Sequence, residues 1–290
     1  MYYYIVNPAT GRGYNKALQD KIRLKLDELG IRGEWAKTTG PGEATKMAAA
    51  AVVGGHTTIV AVGGDDTVNE VINGLGNSAV AVGIIPTGNV NQLAGQLGIT
   101  SWQQGCEVLA ARRLTSYGLI AAGQKFFLST LTMGFETDLD KTVDTSKSGV
   151  RARLVQLRES LGYARGFNSL RAKLTIDDSI TVNCELFSLS IANQKFLNPL
   201  AENKLVVSLS DRPGTRQIGT YLWQLMRHGT SPLEETATSR FLASRIVIET
   251  TPPTGIMVDG KVAGRTPIAI RLTDRRVRFI TEKAAAALRG

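Results

Sequence analysis

The stretch Thr58-Ile59-Val60-Ala61-Val62-Gly63-Gly64-Asp65-Asp66-Thr67-Val68-Asn69-Glu70-Val71-Ile72-Asn73-Gly74-Leu75 decides how this chain is read. An apolar run over Thr58–Val62 has the character of a buried strand, two glycines close it, and an amphipathic helix is expected over Val68–Leu75. A strand that ends in glycines and leads into a helix presents backbone N–H groups and the positive end of the helix dipole, so Gly63–Thr67 suits an anion. No Gly-Lys-Ser/Thr follows, and the GxGxxG spacing of dinucleotide sites is missing. A tight turn that simply requires small residues explains the glycines equally well, and from these residues alone both readings stand.

The same order of strand, Gly-containing turn and helix occurs twice more in the first hundred residues. Tyr3–Val6 leads through Asn7-Pro8-Ala9-Thr10-Gly11 into a helix around Asn15–Leu29, and Val80–Ile85 leads through Pro86-Thr87-Gly88-Asn89 into a helix from about Val90 to Leu97. Strands alternating with helices predict a parallel sheet with right-handed crossovers, whose ligands bind at the carboxyl ends of the strands. Beyond about Tyr117 strand-like runs dominate: Lys125–Met133, Leu174–Ile176, Ile180–Ile191, Leu205–Leu209, Arg245–Ile248, Gly255–Val258 and Arg276–Ile280. Turn pairs such as Asp177-Asp178 and Asp259-Gly260 separate many of them, as in an antiparallel sandwich. Helices are expected near 150–166 and 215–227. The expected fold is α/β, with a Rossmann-like three-layer parallel-sheet lobe over residues 1–118 and a β-rich sandwich lobe over 119–290, the C-terminal tail packing back on the first.

Two domains also suit the length of 290 residues. A hydrophobic content of 43% with 20% charged residues describes a folded chain and not a disordered one. The net charge of +9 favours polyanionic partners, namely nucleotide phosphates, nucleic acid or an anionic membrane surface. Aromatic residues at 6%, without an RNA- or DNA-binding pattern, argue against nucleic acid. Cys106 and Cys184 have neither disulfide-framework nor zinc-site spacing, and His56 and His228 are isolated in sequence. No signal peptide or membrane-spanning run is apparent, so a soluble, cytoplasmic protein is expected.

The string Gly63–Leu75 resembles the GGDGTxNExxNGL pattern of bacterial diacylglycerol kinases and related lipid kinases. Other segments are similar to that family in the same order: Asn7-Pro8-Ala9-Thr10-Gly11, Thr38 with Gly42-Glu43-Ala44, Gly83–Asn91, Met133-Gly134-Phe135-Glu136 and Val258-Asp259-Gly260-Lys261. The resemblance implies an ATP- and magnesium-dependent kinase of a lipid hydroxyl, of diacylglycerol or a related lipid. Phosphoryl transfer rests mainly on positioning and charge neutralisation. By the resemblance, Asn7, Gly11, Thr38, Gly63, Gly64, Asp65, Asp66, Thr67, Asn69, Gly88 and Asn89 hold the nucleotide. Asp259 and Asp65 serve catalysis, and Glu136 and Glu202 keep hard oxygen ligands at magnesium positions. A GGDG-type loop also occurs in NAD kinases, which makes a soluble acceptor the alternative substrate; a nucleotide or lipid sensor without turnover is the other alternative.

The chain departs from the family pattern at Asp66 in place of Gly, Asn89 in place of Thr, Gln92 in place of Asp, Ser116 in place of Asp and Lys261 in place of the Glu assigned as proton acceptor. A carboxylate about 5 Å from a phosphate charge costs roughly 3 kcal/mol at an effective dielectric near 20, so Asp66 is expected to pair with Lys261 across the interlobe cleft. Basic residues between Lys141 and Lys173, interleaved with apolar ones, fit either a solvated helix face or a helix on an anionic bilayer. Expected partners are thus a nucleotide, a lipid at the inner membrane surface and a second copy of the chain.

Overall fold

A computed structural model of the protein describes residues 1–10, 15–89, 91–135, 137, 166–194, 203–211, 239–258 and 261–282. Four parallel strands found the first lobe: β1 (Tyr2–Val6), β2 (Gly33–Lys37), β3 (Thr58–Gly63) and β4 (Ala81–Pro86), in the spatial order β2-β1-β3-β4. Every residue of β3 and β4 is buried, as expected for central strands covered on both faces. Helices α1 (Lys16–Glu28), α2 (Glu43–Val53) and α3 (Asp65–Gly74) connect the strands, and α4 (Gln92–Gln96) and α5 (Trp102–Ala111) follow β4.

Local chemistry sets these boundaries. Asn15 caps α1 by accepting the Leu18 N–H at 2.9 Å, and Gln19, Ile22 and Leu26 recur on its buried face. Helix α3 starts three residues before the expected Val68, because extended Gly64 ends the strand and Asp65 and Asp66 occupy a first turn where the dipole favours carboxylates. The unit β2–α2 carries no strong sequence signal, since Gly-Glu-Trp-Ala-Lys is a half-exposed edge strand and α2 buries only Ala44, Ala48 and Ala51.

After α5 come β5 (Leu114–Ala122), β6 (Lys125–Phe127), β7 (Thr130–Gly134), β8 (Leu170–Ile176), β9 (Ile180–Leu186), β10 (Ser188–Asn193), β11 (Leu205–Ser210), β12 (Ser239–Ala243), β13 (Arg245–Thr251), β14 (Gly255–Val258), β15 (Lys261–Arg265) and β16 (Ile268–Ile280). Strands β12-β11-β10-β7-β14-β15 form an antiparallel sheet. The run expected as one strand over Ile180–Ile191 breaks at Phe187, so that β9 and β10 lie in different sheets. At this corner the buried Phe187 ring stacks on Phe135 with centroids 4.6 Å apart. Lys125–Met133 likewise divides into β6 and β7. The helices expected near 150–166 and 215–227 lie outside the described residues apart from Gly166.

The long strand β16 joins the parallel and antiparallel regions. Its Arg278 and Phe279 pair in parallel with Ala81 and Val82 of β4, while Ile268–Arg271 pair antiparallel with β13 and much of the strand also borders β5. One apolar core surrounds Tyr4, Ile22, Ile59, Ile72 and Phe279; a second gathers Phe127, Met133, Leu189, Ile246 and Ile256. Two further contacts tie them. Asn73 at the end of α3 donates through Nδ2 to the Phe126 carbonyl at 2.8 Å and accepts the Phe126 N–H through Oδ1 at 2.9 Å. The Arg275 guanidinium lies 4.0 Å from the Phe126 ring centroid and donates to the Gly76 carbonyl.

Helices α2 and α3 meet at Gly74, where an added Cβ would run into the Thr45 carbonyl. Gly74→Ala should therefore destabilise the protein by about 1–3 kcal/mol in denaturant titration. Gly95→Ala, in a helix with open space around the new methyl, should be neutral or stabilising by up to about 1 kcal/mol. Equal effects would show that the close approach is unimportant.

Candidate active site at the carboxyl ends of the parallel strands

The turns after β1, β3 and β4 lie together at one sheet edge and are bonded to one another. The Asn7 N–H donates to the Val62 carbonyl at 3.0 Å, and the Thr87 N–H to the Gly63 carbonyl at 3.0 Å. Asn7 Nδ2 donates to Thr67 Oγ1 at 3.2 Å, and the Thr10 and Thr87 hydroxyls lie 3.3 Å apart. Thr38 begins the turn after β2, with its N–H on the Val6 carbonyl at 2.8 Å. Asn7, Thr38, Gly63, Gly64, Thr67 and Gly88 are thus brought to one edge.

The glycines meet a requirement that the sequence did not reveal. A Cβ on Gly63 would enter the Thr67 side chain, and one on Gly88 would stand 2.7 Å from the Gly64 Cα. Glycine is needed here because the loops touch each other, in addition to leaving their N–H groups approachable. Gly64 offers no side-chain cap to α3, and the first N–H groups of a helix have no intrahelical acceptor. With the dipole they make this edge suitable for phosphate.

Several side chains of α3 hold neighbouring elements. Asp65 accepts the Gln92 N–H through Oδ2 at 2.8 Å and the Leu93 N–H through Oδ1 at 2.9 Å. It therefore caps α4, whose own N-cap, Asn91, turns back to accept the Gly88 N–H at 2.9 Å. Glu70 does the same for α2, accepting the Gly42 and Ala44 N–H groups at 2.9 and 3.1 Å. Burial raises the pKa of Asp65 above the ordinary carboxylate value, and the neighbouring Asp66 adds to the rise against the two amide hydrogen bonds. These tasks of Asp65 and Glu70 could not be seen in the sequence, because the capped amides belong to remote helices.

Gly11, Glu136, Glu202 and Asp259 lie outside the described residues, and Lys261 is described by its backbone alone. Ser116 accepts Arg276 Nε through Oγ at 2.9 Å, and its carbonyl accepts Arg276 NH2 at 3.0 Å. A guanidinium thus occupies the surroundings of a position where the family pattern has an acid. Nearby, buried Asn193 donates to the Gly118 carbonyl at 3.0 Å and ties β10 to β5. Among the described residues no three acidic, His or Cys side chains converge as a metal site.

Residues 1–122 match the diacylglycerol kinase catalytic domain family. This part of the chain is similar to that family. A diacylglycerol kinase of Staphylococcus saprophyticus is 25% identical over 186 residues, covering 63% of this chain and 59% of that protein. The chain is thus matched to less than two thirds of that relative's length. The crystal structure of a diacylglycerol kinase from Bacillus anthracis shares the fold, with a TM-score of 0.72, 20% identity and coverage of 98% of this chain and 97% of the other. An NAD kinase from Archaeoglobus fulgidus, solved in complex with ATP, is similar at a TM-score of 0.54 with 13% identity, over 98% of this chain and 95% of that one. These structures share the fold of this chain. Among the described residues no helix is long and apolar enough to cross a membrane.

Removing the Asp65 carboxylate leaves two α4 amides without their acceptor. Asp65→Ala is expected to cost about 1–2 kcal/mol in chemical denaturation, with hydrogen exchange accelerated at Gln92 and Leu93. Unchanged exchange at those two amides would refute the capping role.

Proposed function

We propose that the protein is a kinase that transfers the γ-phosphoryl group of ATP to a hydroxyl of diacylglycerol or a related lipid. The observation that carries this reading is the mutual bonding of three turns beside the N-terminus of α3, within a segment that matches a diacylglycerol kinase catalytic domain. Asn7, Gly11, Thr38, Gly63, Gly64, Thr67, Asn69, Gly88 and Asn89 hold the nucleotide. Asp65 acts at one remove, fixing the turn after β4 through α4. Gly64 and Gly88 fit a phosphate chain, because their contact leaves no side chain between it and the loop backbones.

The acceptor oxygen forms a bond to the γ-phosphorus while the bond to the bridging oxygen breaks, and ADP leaves with that electron pair. Asp259 takes the hydroxyl proton, since the Glu two residues later in the family pattern is Lys261 here. Magnesium, held by Glu136 and Glu202 together with the phosphates and water, would neutralise charge on the transferred group. The substitution at Lys261 favours one second reading, a nucleotide- or lipid-binding relative with impaired turnover.

Labelled γ-phosphate offered with diacylglycerol vesicles, with NAD and without acceptor separates these possibilities. Label should appear in the lipid alone, and Asp259→Asn should lower kcat about 100-fold or more with ATP affinity preserved. Label in NAD, or retained ATP binding without any transfer, would replace the proposal with one of the alternatives.

A further inference from the structure

Between α1 and the end of β2 lies a cleft of about 400 Å³ that the kinase reading does not use. Its wall along α1 carries Lys16, Gln19, Asp20 and Arg23, about one turn apart and so on one helix face, and Pro8, Asn15 and Lys37 complete it. Three cations thus face one carboxylate. Among the described residues, none of these four charged side chains forms an ion pair. Arg23 is held by an aromatic surface instead, its guanidinium carbon 4.7 Å from the Trp35 ring centroid. The α1 N-terminus adds its partial positive charge.

At the base of the cleft is Gln19, only 6% exposed. Its side-chain amide makes no hydrogen bond with the described residues. The side chain is enclosed except where it lines the cleft, so its amide takes its hydrogen bonds from whatever occupies the cleft, water or a ligand. The residues also suggest the kind of ligand. Two surplus positive charges balance a phosphate dianion, the Gln19 amide can both donate and accept, and Asp20 can accept from hydroxyl groups.

We infer that this cleft binds a small, hydroxyl-bearing phosphate monoester, with the phosphate between Lys16, Arg23 and Lys37 and a hydroxyl on Gln19 and Asp20. The same chemistry is presented by a soluble metabolite and by a phospholipid headgroup. The inference does not depend on the kinase reading, because that reading assigns none of these side chains.

The test uses the full chain, glycerol 3-phosphate as the soluble probe and phosphatidylcholine vesicles with phosphatidic acid as the headgroup probe. In amide NMR spectra, saturation with glycerol 3-phosphate should shift the Gln19 side-chain NH2 pair, also when the protein is already saturated with ATP. Lys16→Ala with Lys37→Ala, both at exposed positions, should raise the Kd at least tenfold while leaving the thermal midpoint unchanged. Gln19→Leu should weaken binding; if it unfolds the protein, the lysine variants and the Gln19 resonance still decide. A Gln19 shift with vesicles and none with glycerol 3-phosphate would assign the site to the headgroup. Absence of a Gln19 shift with either probe, an unaltered Kd in the double variant, or displacement of the probe by ATP would overturn the inference.

Discussion

The first lobe depends on the polar side chains of one helix satisfying the backbone of its neighbours. Helices α2 and α4 begin at left-handed residues, Gly42 with φ of 80° and Asn91 with φ of 52°, and neither supplies a side-chain cap. Their first amides would lack acceptors without Glu70 and Asp65, which reach them from α3. Asn73 extends the same logic to β6, and Thr67 receives Asn7. The apolar side of α3, with Val68, Val71 and Ile72, fills the core. One helix therefore sets the turn after β3 and fixes the elements that flank it.

This arrangement changes what the acidic residues mean. Asp65 and Asp66 follow two glycines at a phosphate-suited edge, where negative charge looks unfavourable. Both also stand in the first turn of α3, where negative charge is stabilised by the dipole. Asp65 is further committed to two amides, so its charge is partly offset by N–H dipoles as well as disfavoured by burial. Turns held by this many internal hydrogen bonds need little rearrangement to receive a ligand, which is the condition for electrostatic preorganisation.

Much of this was legible in the sequence, for identifiable reasons. Strands β3 and β4 are continuous apolar runs because both their faces are covered, and Asn15 marks the start of α1 by local capping. The edge strand β2 was missed because one half-exposed strand of five residues has no distinctive period. The antiparallel sheet was readable from its apolar runs, yet the exchange of sheets at Phe187 was not, since β-propensity says nothing about which partner a strand takes. Capping by Asp65 and Glu70 was hidden for another reason. A capping box is read from residues three apart, whereas these carboxylates act over 26 to 28 positions. The hydrogen bonds of Arg276 to Ser116 span 160 positions and leave no local trace either.

The course of β16 limits how the two cores can move. One strand hydrogen-bonds to β4 of the parallel region and to β13 of the other, with β5 alongside. A hinge between the cores would fall on this strand, whose ladder with β5 shifts register between Leu272 and Arg276, while Asn73 and Arg275 resist separation at α3. Any swing of one core against the other is therefore confined to this irregular stretch and opposed by the contacts at α3. In the proposed kinase, positioning of the acceptor would then be largely built into the resting fold, which is the form of catalysis that phosphoryl transfer most needs.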